Sequence, residues 1–120
     1  GYAAIEMSGT GTVLTLDGFT LNVDGFAEDT SAEGGIFFKK AGVGGKFYNG
    51  TINYNTEFAG AIYSQQVPEL ANIDFGNVTI NTTGAVGDYD FVDQTDDATD
   101  GATEIRAIFD ANTTNAVNYN

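Results

Sequence analysis

Four Asn-x-Thr triplets mark the chain, at Asn49-Gly50-Thr51, Asn77-Val78-Thr79, Asn81-Thr82-Thr83 and Asn112-Thr113-Thr114. Each fits the acceptor pattern for N-linked glycosylation, in which the asparagine amide nitrogen is modified, so Asn49, Asn77, Asn81 and Asn112 are the glycan candidates. The other stretch with chemistry to offer is acidic. Residues 87–104 read GDYDFVDQTDDATDGATE, and Asp93, Asp96, Asp97 and Asp100 supply hard oxygen ligands of the kind calcium takes. Set against an EF-hand loop, Asp96 falls at place 1, Asp100 at place 5 and Gly101 at place 6. Places 3 and 12 are Ala98 and Ala107, so the EF-hand pattern fails. The run is read either as an irregular calcium site or as a solvated acidic loop, and calcium is the one cofactor suggested.

With no His and no Cys, the chain has no ordinary catalytic triad, thiol nucleophile or imidazole ligand. A glycosidase needs only two carboxylates, and Asp96 and Asp97 would be the pair. No Trp is present to stack a sugar, however, and the expectation is a protein that is not an enzyme. Seventeen acidic residues against Lys39, Lys40, Lys46 and Arg106 leave a net charge of −13. No basic patch can release phosphate counterions, which excludes nucleic acid, and no apolar run approaches transmembrane length. At 120 residues, 42% hydrophobic, with nine Phe and six Tyr, residues 1–120 form one globular domain. The start at Gly1 fits a processed chain, and an extracellular or cell-surface setting is expected.

The elements that would position these residues repeat. NVTINTT at 77–83 aligns with NGTINYN at 49–55 and GFTLNVD at 18–24, stacking Thr20-Leu21-Asn22, Thr51-Ile52-Asn53 and Thr79-Ile80-Asn81. AVNYN at 116–120 echoes TINYN at 51–55 as a degraded fourth copy. Leu16, Phe47 and Phe75 each lie four residues before the Thr, with Gly18, Gly50 and Gly76 between. Burying Phe75 together with Val78 and Ile80 requires a bend between them, for which these glycines are suited. A second, aromatic element recurs as GGIFF at 34–38, GAIYS at 60–64 and GDYDF at 87–91. Alternation then predicts a face of Asn and Thr without Lys or Glu. Such a face suits a glycan coat or an Asn/Thr ladder between stacked strands. It suits an ice-binding array poorly, because each repeat carries one Thr.

The motifs FYNGTINYN…GAIYS and IDFGNVTINTTGA resemble the Phe-x-x-Asn and Gly-Gly-Ala-Ile repeats of polymorphic outer-membrane proteins and related β-helix adhesins. Phe47 and Phe75 take the Phe place, with Gly50 and Val78 at the Asn place. Gly34-Gly35-Ile36 and Gly60-Ala61-Ile62 match the second motif. The resemblance implies a surface-exposed, non-catalytic β-helix.

An all-β fold follows, either a short β-solenoid (parallel, β-helix-like, with coils of about 28 residues) or an antiparallel β-sandwich or jelly roll. TEIRAIFDA at 103–111 fits both a helical period and alternation, and is read as a strand. Residues 1–10 are expected to act as a donor or capping strand, with Ala3, Ile5 and Met7 on its assembly face, and 87–104 as an acidic loop. Function is expected to be structural: a self-assembling subunit of an extracellular filament or surface layer, a homo-oligomer or polymer joined by strand exchange. The alternative is a carbohydrate- or calcium-dependent adhesive module, with a glycan on Tyr54, Tyr63 or Tyr89.

Overall fold

Phe47 and Ile52 both point into the core, yet five residues separate them, and strict alternation would put them on opposite faces. The chain resolves this at Asn49, whose φ of +54° reverses the facing parity of the strand. Gly18 (φ +79°) and Asn77 (φ +55°) do the same at the equivalent places. Glycine pays no steric penalty there, and asparagine is among the few other residues that enter the left-handed region readily. The expected bends at Gly50 and Gly76 are therefore displaced by one residue.

The computed structural model describes residues 2–24, 32–95 and 99–120. Its strands are β1 (Tyr2–Met7), β2 (Val13–Val23), β3 (Ala32–Phe38), β4 (Gly44–Tyr54), β5 (Ile62–Ser64), β6 (Ile73–Thr82), β7 (Phe91–Asp93) and β8 (Ala116–Tyr119), with helix α1 (Ala102–Ala111) between the last two. The odd strands form one four-stranded sheet and the even strands another, each in chain order. Every pairing is parallel.

Both expected topologies are corrected. Wholly parallel pairing overturns the antiparallel sandwich and jelly roll. The solenoid of closed, uniform coils is overturned as well: the strands form two separate open sheets. Successive partners on the even sheet lie 31, 28 and 37 residues apart, not at a constant period of about 28. The longest of these intervals contains α1, so the fold is not all-β. Ile105 and Phe109 of α1 are buried while Ala107 is exposed. The helical period therefore prevails over the alternation that read this segment as a strand. The acidic stretch 87–104 is likewise not one loop, since it contains β7 and the first turn of α1.

The aligned repeats do lie side by side. Thr20, Thr51, Thr79 and Ala116 are register partners, as are Asn22, Asn53, Asn81 and Asn118. On the odd sheet Ile36 pairs with Ile62, as the alignment of 34–38 with 60–64 requires. Ile62 then pairs with Phe91, which is two residues away from the place that the GDYDF alignment gave it.

The core between the sheets is aromatic. The Phe47 and Phe75 rings stack at 5.6 Å, and Phe109 from α1 meets Phe75 at 5.3 Å and Phe91 at 5.2 Å, edge to face. Phe19 reaches Phe47 at 6.0 Å and fills the space over Gly50, where an added Cβ would lie 2.2 Å from its ring. The two glycine-led motifs interlock just as closely. A Cβ on Gly34, whose φ is +113°, would lie 2.3 Å from the Gly60 carbonyl oxygen. Backbone, unlike a side-chain tip, cannot swing aside. Gly34→Ala is thus expected to destabilise the fold by about 2 kcal/mol or more. An unfolding free energy from denaturant titration that stays within about 0.3 kcal/mol of wild type would contradict this packing.

Candidate functional site

The even sheet turns its polar face outward, and amide side chains link its strands. Asn118 Nδ2 donates to Asn81 Oδ1 at 2.9 Å, Asn81 to Asn53 at 2.8 Å, and Asn53 to Asn22 at 2.8 Å. A shorter ladder crosses the bends: Asn77 Nδ2 donates to Asn49 Oδ1 at 3.0 Å, and Asn49 to Asp17 Oδ1 at 2.9 Å. Each amide offers a donor and an acceptor on opposite sides, so the chain of bonds runs in one direction, from β8 towards β2. Asn112, the remaining glycan candidate, donates its Nδ2 to the Phe75 carbonyl at 3.0 Å. The amide nitrogens of all four glycan candidates are thus engaged within the protein. Between the two ladders stand Thr20, Thr51 and Thr79.

The two ends of the stack differ. At the late end, α1 and the turn after it close the edge of β6. Asn115 Nδ2 donates to the Phe75 carbonyl at 2.9 Å, the Val78 amide donates to Asn115 Oδ1 at 2.9 Å, and the Asn77 amide donates to Thr114 Oγ1 at 2.8 Å. Side chains thereby satisfy backbone groups that a further strand would otherwise pair. At the early end, β1 and β2 are edge strands of their sheets. The assembly residues Ala3, Ile5 and Met7 lie in β1, which pairs with β3 of the same chain, Ile5 beside Ile36 and Met7 beside Phe38.

Asp90 anchors the late end. Its carboxylate is fully buried, accepts from the Gly87 amide at 2.9 Å and from the Tyr119 hydroxyl at 2.6 Å, and pairs with Arg106. The Arg106 guanidinium also lies 4.7 Å from the centre of the Phe91 ring. Burial pushes the Asp90 carboxyl up, but hydrogen bonds from Tyr119, Arg106 and the backbone outweigh it and hold the group below its usual range. The cluster ties β8, α1 and the start of β7 together. Nothing in the sequence distinguishes Asp90 from its acidic neighbours, because its partners lie 16 and 29 residues away.

Of the calcium candidates, Asp93 accepts from the Ala102 amide at the start of α1 at 2.8 Å. Asp100 accepts from the Thr95 amide at 3.0 Å and its hydroxyl at 3.1 Å. Burial raises the Asp93 carboxyl, with the charges of Asp100 and Glu104 adding to it against the Ala102 hydrogen bond. Asp96 and Asp97 lie outside the described residues. Among the described residues no group of three or more acidic side chains gathers around a point where a metal would sit. Of the aromatic candidates, Tyr54 is buried with its hydroxyl donating to the Phe58 carbonyl, Tyr63 packs on the Phe37 ring at 5.1 Å, and Tyr89 is half-buried. Sequence reasoning passed over Tyr48, which is on the outer face with its hydroxyl donating to Asp74 Oδ2 at 2.8 Å. Among the described residues no helix is long and apolar enough to cross a membrane.

Since the Asp90 carboxyl is lowered on folding, its contribution is complete above the ordinary carboxyl range and fades as pH falls through the lowered value. Arg106→Met leaves a buried carboxylate without its cation and is expected to cost about 3 kcal/mol near neutral pH. The loss should shrink on acidification as Asp90 becomes protonated. Equal destabilisation at pH 7 and at pH 3 in thermal melts would contradict this role.

No protein-family model, curated protein or solved structure matches the chain, so the functional reading rests on this geometry.

Proposed function

We propose that the protein is a non-enzymatic structural subunit that works outside the cell or at its surface and pairs with a second copy of itself through the open end of its stack. The observation that carries this reading is β2. It is eleven residues long and is the first strand of its sheet, hydrogen-bonded only to β4 among the described residues. Val13 is 43% exposed, and Leu14, Leu16, Phe19 and Leu21 are only partly covered. A long, unpaired and partly apolar edge is an association site unless it is blocked by charge or by cover.

A second β2 running antiparallel suits this edge. The parity reversal at Gly18 lets Leu16 face the other copy's Leu21, and Leu14 its Val23, with all four on the core side. On the outer side Asp17 faces Thr20 and Thr15 faces Asn22, so no carboxylate meets another. A two-fold interface of this kind is self-complementary and closed. Because α1 and the turn after it cover the edge of β6 beside β8, and β8 is only four residues long, the end-to-end pair would be the unit from which a filament or layer is built by further contacts. The donor-strand role expected of Ala3, Ile5 and Met7 is not needed, as β1 already pairs within its own sheet.

Sedimentation at physiological salt should give a particle of twice the 12.6 kDa chain mass. Thr20→Asp places a carboxylate opposite the other copy's Asp17 at both symmetric positions and should yield monomers. Thr20→Lys, which places an ammonium there instead, should tighten the pair. A wild-type monomer at all concentrations, or identical behaviour of the two variants, would overturn the reading.

A further inference from the structure

The outer face of the even sheet carries a shallow open trough of about 510 Å³, lined by Gly18, Thr20, Asn49, Thr51, Asn77 and Thr79 with Phe19 and Gly50. The left-handed residues Gly18, Asn49 and Asn77 lie side by side along it. Three features bear on what it could hold. First, the Thr20, Thr51 and Thr79 hydroxyls are aligned on adjacent strands, about 4.8 Å apart. The neighbouring asparagine amides are taken up by their ladders, whereas these hydroxyls bond to no other described residue. Each keeps a donor and an acceptor for an outside molecule.

Second, an aromatic ring lies nearby on the same face. Tyr48, next to Asn49 in the chain, crosses from β4 onto the backbone of β6 at Gly76. A Cβ built on Gly76 would lie 3.1 Å from Tyr48 Cδ1 and 3.6 Å from Cε1. The hydrogen bond to Asp74 pins the outer tip of the ring. A side chain at residue 76 would lift this ring off the sheet, and its absence leaves the ring lying across it. Third, the trough is lined without a single charge on a chain of net charge −13. An anionic polymer would be repelled by the surrounding carboxylates, whereas a neutral polyhydroxylated one would not.

We propose that this trough binds a neutral, extended β-linked glycan lying along the strands over β4 and β6. The hydroxyls of one sugar exchange hydrogen bonds with Thr51 and Thr79, with Thr20 at the rim, and a sugar farther along the chain stacks on the Tyr48 ring, which lies three residues along β4 from Thr51, about 10 Å away. Aromatic rings and a few convergent polar groups are the usual components of such a site. The chemistry requires equatorial hydroxyls and an apolar sugar face, as in a glucose or N-acetylglucosamine chain. It excludes uronic acids. Thr20 belongs to both the trough and the proposed pairing edge, whereas Tyr48 and Thr51 lie on β4, away from the β2 edge, and test the glycan site apart from the pairing.

Calorimetric titration of the intact protein with cellohexaose and with chitohexaose, and with hexagalacturonate as the anionic control, tests the assignment. At least one neutral hexamer is expected to bind saturably, and hexagalacturonate is not. Tyr48→Ala should weaken binding tenfold or more. Thr51→Val, nearly identical in shape, should weaken it several-fold, with the melting temperature and sedimentation of both variants unchanged. If Tyr48→Ala does unfold the protein, Tyr48→Phe keeps the ring, frees its tip from Asp74 and should give an intermediate loss. The proposal falls if neither neutral hexamer binds at millimolar concentration, if hexagalacturonate binds as well as they do, or if Thr51→Val and the folded Tyr48 variant bind as wild type.

Discussion

A side-chain amide that accepts from one neighbouring strand and donates to the other can do so only when all three strands are in register. The ladder of Asn22, Asn53, Asn81 and Asn118 imposes this condition across the whole even sheet. A slip of one residue on any strand would turn its asparagine inward and the aliphatic residue before it (Leu21, Ile52, Ile80 or Val117) outward. Phe47 would then lose its stack with Phe75, and Thr79 would leave the column it shares with Thr20 and Thr51. Inner aromatic packing and outer hydroxyl array thus depend on one register. The ladder is also economical in charge, for it joins strands of a strongly acidic chain with a side chain that carries none.

The left-handed bend is the second constraint, and it is what gives the strands two different halves. Before it, Leu16, Phe47 and Phe75 face the core; after it, Leu21, Ile52 and Ile80 do. Glycines on either side of the bend make room for aromatics from the neighbouring strand, Gly50 for Phe19 on the inside and Gly76 for Tyr48 on the outside. One local conformation thereby supports a packed interior and a contoured exterior.

The Thr-x-Asn repeat was legible in the sequence because strict register puts the same residue types at the same offset, and even the degraded copy at 116–120 lies where it aligns. What was hidden follows from physics that short motifs do not carry. The strand pairing could be read as parallel or antiparallel, since both yield short strands and Gly turns. In 103–111, Ile105 and Phe109 satisfy both periods, and only the exposure of Ala107 separates them. The bend was assigned to glycine alone at Gly50 and Gly76, although Asn49 and Asn77 adopt the conformation. The register of β7 was missed by two residues because that strand has only three, too few to outweigh a loop of different length. The outer-face tyrosine was overlooked because its place depends on a glycine in another strand.

Because each strand touches chiefly its neighbours in the stack, local stability should not be uniform along it. The late end is locked by α1, by the Asp90 cluster and by side chains that satisfy the edge of β6, whereas among the described residues the early end has strand neighbours on one side only. Opening would then start at β1 and β2 and move inward, with the amides beneath α1 exchanging with solvent last. In a lone chain the N-terminal strands would be the ones that breathe and that proteases reach first. A partner seated on β2 would suppress that fraying and turn a graded, strand-by-strand opening into a single cooperative one.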